Sequence, residues 1–179
     1  MIDPVFQLVL VWCLALLFIG AAADKLLEWG AFRTTLEDFQ LMPEWALAPV
    51  GVMVVLLETC AGVALAFASL RVIGASVAVA LLLAYGASIW INLLRGRVHI
   101  DCGCLGGRES VLSYWLVARN ATLTVAAVLC VLAPSARSLH WMDLVSVAGG
   151  VVTLVLLYLG LNLLLSYHLD QSAWGLTDD

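Results

Sequence analysis

Charge is scarce in this chain: Asp, Glu, Lys and Arg make up 12% of its 179 residues, 64% are hydrophobic and the mean hydropathy is +1.06. A soluble domain wraps its core in charged groups and keeps its apolar fraction nearer one half, so this composition excludes one and points to an integral membrane protein. With eight lysines and arginines in all, no basic stripe with interleaved aromatics forms, and nucleic acid is excluded as a partner class. The net charge of -5 comes from scattered loop and tail groups and says little about partners. Cysteine is sparse too. Five are too few for a disulfide scaffold, and Cys13, Cys60 and Cys130 fall inside apolar runs, where a thiol packs as a small hydrophobe. Internal repeats and low-complexity linkers are absent, so a single transmembrane domain is expected over residues 1–167, followed by an acidic tail over 168–179.

What the chain does contain is a succession of apolar segments. Residues 5–23 carry no charge and are long enough to cross a hydrocarbon layer of about 30 Å as a helix. Small residues at 20–23 loosely resemble a signal-peptidase site, but no positively charged stretch precedes the apolar run, so a retained helix is expected. Residues 24–43 are different in kind. Trp29, Phe32, Leu36 and Phe39 recur every three or four positions with Glu28, Arg33, Glu37 and Asp38 on other faces, which predicts an amphipathic helix at the membrane interface. Further spans are predicted over 45–70, 72–94, 114–133 and 142–167. The expected fold is all-α: a polytopic bundle in the lipid bilayer with four to five transmembrane helices and one interfacial helix. Glu58 falls near the middle of the second span. An ionisable group at that depth is a functional candidate by default, with a protonated packing carboxyl as the plainer alternative. Arg119, in the fourth span, either snorkels to the interface, pairs with Glu58 or leans toward the loop that precedes it.

That loop, residues 95–113, holds the one stretch of reactive chemistry outside an apolar segment: Asp101-Cys102-Gly103-Cys104. A fully extended Cys-x-Cys pair holds its Cα atoms about 7 Å apart, at the limit for a disulfide, so closing the ring requires a sharp turn. Gly103, without a Cβ, permits that turn. Small strained disulfides are labile and oxidising rather than structural, which makes a redox pair the leading reading. A soft-metal site is the second, but with His99 the pair falls short of four ligands, His140 being the other recruit and predicted on the opposite face. A third reading is two inert thiols, against which Arg95, Arg97 and Arg108 favour the thiolate. Asp101 adjoins Cys102 whereas Cys104 lies nearer Arg108, so Cys104 is the more thiolate-like member. Trp90, Tyr114 and Trp115 flank the loop as an interfacial aromatic belt or as a platform for a quinone, a candidate electron carrier. Five spans put Arg71 and Arg137 on one side and Lys25, Arg33, Arg95, Arg97 and Arg108 on the side of the cysteines. The positive-inside rule places that side in the cytoplasm; the persistence of disulfides places it in the periplasm of a cell inner membrane, which is the expectation adopted.

Three stretches resemble one family. They are Ala23-Asp24-Lys25-Leu26 continuing through Phe32, Leu36 and Phe39 to Leu41-Met42-Pro43; Leu57-Glu58-Thr59-Cys60-Ala61-Gly62; and Asp101-Cys102-Gly103-Cys104-Leu105-Gly106. Together they resemble the MauE family of methylamine utilization membrane proteins, within the DoxX-like group, over most of residues 5–133. Members more often carry an aromatic where Leu105 stands, and four spans are common in the wider group. The resemblance implies a role in maturing the disulfide-rich periplasmic small (beta) subunit of methylamine dehydrogenase, beside a thioredoxin-like partner, MauD, with Cys102 and Cys104 as the reactive pair. Two other classes stand against this thiol-disulfide oxidoreductase. One is a non-catalytic scaffold for that subunit. The other is a small-molecule transporter, prompted by Glu58 but without the paired broken helices that mark such folds.

Overall fold

Asp3 starts the first helix. Its carboxylate accepts the Val5 amide hydrogen at 2.8 Å, and Pro4 occupies the first turn, where a missing N–H is no loss. In the computed structural model, which describes residues 3–97, 112–132 and 140–174, this helix is α1 (Pro4–Leu27). It is followed by α2 (Trp29–Phe39), α3 (Glu44–Ala66), α4 (Arg71–Leu94), α5 (Tyr114–Leu129) and α6 (Trp141–Trp174). No strand occurs among the described residues. Four helices, α1, α3, α4 and α6, are long and apolar enough to cross a membrane. The fourth predicted span is shorter than expected: α5 has 16 residues, a rise of about 24 Å. The chain is an all-α, multi-pass membrane protein.

The bundle is built on close helix approaches. A Cβ at Gly62 of α3 would lie 2.7 Å from Ile19 Cγ1 and 3.0 Å from the Ala15 carbonyl oxygen, so α1 and α3 meet where no side chain intervenes. Gly74 does the same for the α3–α4 hairpin, its missing Cβ falling 2.7 Å from the Leu65 backbone nitrogen. Phe18, Leu65, Ala78, Leu82, Ala127 and Cys130 fill the core among α1, α3, α4 and α5. At the end of the bundle away from α2, Gln7 donates through Nε2 to the Cys130 carbonyl at 2.9 Å and the Leu132 carbonyl at 2.8 Å, tying α1 to the end of α5. The last helix packs on α1, where Gly150 admits Val9, and continues to Trp174 beyond its apolar run.

Two local features depart from what the sequence pattern predicts. The first helix does not stop at the charges of Asp24 and Lys25 but runs to Leu27. The aromatic stripe of α2, predicted for the interface, is turned onto the protein: Phe32 and Phe39 are buried, Thr35 is buried with them, and Trp29, Leu36 and Phe32 surround Gly51 of α3. The helix closes with Gln40 in the left-handed region (φ 46°), and the Gln40 carbonyl accepts from Arg95 Nη1 at 3.4 Å. Gly96 (φ +70°) then ends α4 in a conformation that favours glycine.

Replacing Gly74 by alanine pushes a Cβ into the α3 backbone and is expected to lower stability by about 1–3 kcal/mol. Gly20→Ala, with nothing within 4 Å of the added atom, should be neutral or slightly stabilising. Thermal unfolding of the two variants in one detergent checks the difference.

Candidate functional site

Cys102 and Cys104 lie outside the described residues, as do Asp101, Gly103 and Arg108; the helices that lead into and out of their loop are α4 and α5. Inside the bundle the described residues build a second centre of polar chemistry. Lys25 Nζ sits 2.9 Å from Glu58 Oε1, and the two side chains are 5% and 1% exposed. Tyr85 of α4 donates its hydroxyl to the same Oε1 at 2.6 Å. Three helices therefore converge on one carboxylate oxygen.

Each member is placed by its helix. Lys25 stands in the last turn of α1, where a cation faces the negative end of the helix dipole and where Nζ also reaches the Ala21 carbonyl at 3.4 Å. Glu58 falls on the face of α3 that carries Val55, Ala61, Gly62 and Leu65, all buried, so its spacing directs it inward. Tyr85 packs on the main core from α4. The ammonium is enclosed by two rings, with Phe32 of α2 at 5.5 Å and Tyr85 at 5.6 Å from their centroids. Phe32 thereby makes α2 a cover over the ion pair. A charge pair in a membrane interior needs this geometry, because its desolvation is repaid only by close contact and further hydrogen bonds.

Sequence reasoning singled out Glu58 but missed its partners. Lys25 stood at the start of the amphipathic segment, counted only among the cations on the side of the cysteines, and Tyr85 was one residue of the third span. Nothing local marks either as a contact of Glu58, although Lys25 and Glu58 both lie in stretches quoted above for family resemblance. Arg119 is half-buried on α5. The aromatics flanking the loop do meet: Trp90 and Tyr114 pack edge to face with centroids 5.9 Å apart. Below them an apolar groove of about 290 Å³ runs between α4 and α5, lined by Leu82, Gly86, Trp90, Val117, Asn120 and Thr124 among others. Of the remaining cysteines, Cys130 is in the core, Cys13 is half-buried and Cys60 faces outward from α3.

A family model described as methylamine utilisation protein MauE matches residues 3–133, which takes in α1 to α5, the ion pair and the cysteine loop. The chain belongs to the MauE family. Similar proteins include the methylamine utilization protein MauE of Paracoccus denitrificans, 38% identical over 132 residues that cover 71% of each chain. That of Methylorubrum extorquens is 36% identical over 81% of this chain and 80% of its own, and that of Paracoccus versutus 36% over 90% and 88%. No solved structure matches the chain. In this MauE-family protein α6 lies beyond the family match, in keeping with its peripheral packing on α1.

Removing one charge of the pair leaves the other buried and uncompensated, whereas removing both exchanges an ion pair for apolar contact. Lys25→Met is expected to cost about 3–5 kcal/mol, and Lys25→Met/Glu58→Met to recover most of that loss. Tyr85→Phe, which forfeits a hydrogen bond to a charged group, should cost about 1.5–3 kcal/mol. Denaturation of the variants in matched micelles reads all three.

Proposed function

We propose that this protein is a membrane thiol-disulfide oxidoreductase of methylamine utilisation, acting through Cys102 and Cys104 to form the disulfides of the methylamine dehydrogenase small subunit with a thioredoxin-like partner. The observation that carries the reading is a Cys-Gly-Cys pair among arginines, inside the part of the chain that matches a methylamine utilisation family. In the oxidised state a substrate thiolate attacks one sulfur and the other cysteine leaves as its thiolate; the substrate's second thiolate then breaks the mixed disulfide, so that the substrate carries the disulfide and both loop cysteines are reduced. Re-oxidation needs a two-electron acceptor. A lipid-soluble quinone is the chemical class suited to the apolar groove between α4 and α5, whose walls are the helices joined by the cysteine loop.

The loop is assigned to the periplasmic side of the inner membrane. Burial of Lys25 supports this placement, since a lysine paired inside the bundle no longer counts among the loop cations that argue for the cytoplasm.

Two measurements check the proposal. A Cys102→Ser/Cys104→Ser protein should leave the small subunit as poorly matured as in cells lacking the membrane protein; full maturation would instead favour a scaffold. In intact cells, a membrane-impermeant alkylating reagent should label the pair only after reduction. Labelling that requires permeabilised cells would put the loop in the cytoplasm and overturn the disulfide-donor mechanism.

A further inference from the structure

The groove between α4 and α5 carries polar chemistry that the packing of the two helices does not use. Asn120 is 4% exposed, and it lines the groove. Its Nδ2 donates to the Leu116 carbonyl of its own helix at 2.8 Å, so this bond ties nothing across to α4. Opposite stands Gly86, whose absent Cβ would lie 3.7 Å from Asn120 Cβ. Among the described residues, neither Asn120 Oδ1 nor the Trp90 indole N–H has a hydrogen-bond partner. Lipid tails offer no partner to either group, which makes both costly where they stand. A ligand that satisfies them accepts from Trp90, donates to Asn120 and is otherwise apolar. It is also small, since the groove holds about 290 Å³, at the lower limit of the roughly 300–1,000 Å³ that takes drug-sized ligands. A single quinone ring meets these terms, its carbonyl accepting and the hydroxyl of its reduced form donating. Position adds an independent argument. Trp90 and Val117, both in the lining, lie about one turn from the ends of α4 and α5 that the cysteine loop joins.

We propose that the α4–α5 groove binds the ring of a lipid-soluble quinone, with Trp90 donating to a quinone carbonyl and Asn120 Oδ1 accepting from the hydroxyl of the quinol. The inference rests on the oxidoreductase reading and gives its electron acceptor a place and two polar contacts. Two loop thiols close one S–S bond and release two electrons and two protons. The quinone takes up both electrons and both protons and becomes the quinol. Asn120 thereby gains a bond on reduction, so the site holds the quinol more tightly through this residue than it holds the quinone.

The test uses the full chain carrying Cys102→Ser/Cys104→Ser in lipid nanodiscs under argon, so that binding is read without turnover. A short-tailed azidobenzoquinone, photolysed and mapped by mass spectrometry, should label α4 and α5, with decylubiquinone competing. Gly86→Leu, which sends a side chain into the groove, should abolish the labelling. Gly86→Ala, whose Cβ meets Asn120 at ordinary contact distance, should retain it. Asn120→Leu should weaken competition by the quinol about tenfold, the worth of one hydrogen bond, and competition by the quinone less. Labelling spread evenly over the lipid-facing helices, labelling undiminished in Gly86→Leu, or quinol competition unchanged in Asn120→Leu would overturn the proposal, and lipid chains would then be the occupant. In the chain with both thiols intact, a labelled groove beside thiols that the quinone fails to oxidise would support the site and sink the oxidoreductase reading alone.

Discussion

A lysine and a glutamate separated by 33 residues in the chain share one hydrogen bond inside an apolar bundle, and the arrangement of the helices around it follows from that contact. Neither charge is tolerable there alone. Lys25 reaches Glu58 only because α1 continues past Asp24, which sets the length of the first helix and the position of the corner into α2. Enclosing the ammonium requires Phe32, and this places α2 across the pair instead of flat in the lipid headgroups. Satisfying the carboxylate brings in Tyr85, which fixes how α4 is rotated about its axis against α3.

Charge and glycine divide the work of assembly. Gly62 and Gly74 bring the backbones of α1, α3 and α4 close enough for dispersion to hold them, a contribution with little directional preference. The polar cluster is directional, and it distinguishes one rotation of these helices from its neighbours. At the far end Gln7, bridging to the carbonyls of Cys130 and Leu132, serves a similar purpose for α1 and α5 with a neutral group. The ion pair lies at the end of α1 nearest α2, and the far end of α2 is tied to the end of α4 through the Gln40 carbonyl and Arg95.

The family model ends before α6, and the packing of that helix is peripheral to the rest. It lies against α1 alone among the major contacts, with Gly150 receiving Val9, and leaves the α1–α3–α4–α5 core untouched.

Composition alone established a membrane protein, because a chain with 12% charged residues has no means of covering itself toward water. Runs of apolar residues placed the spans, and the Cys-Gly-Cys stretch, being chemistry that depends on neighbours in sequence, stood out at once. Glu58 was visible as an anomaly for the same reason: a charge in an apolar run is a local fact. Its meaning was not local. Helical periodicity tells which face of α3 carries the carboxyl, but not which residue of another helix opposes it, and Lys25 beside Asp24 reads as an ordinary end of a span. The stripe of Trp29, Phe32, Leu36 and Phe39 was equally legible, whereas its burial against Gly51 was not, since lipid and a helix partner are both apolar and select the same pattern. Sequence determined what each segment is, through transfer free energies that depend on one segment at a time. Tertiary structure decided which charges meet, because that depends on distances between segments that only packing sets.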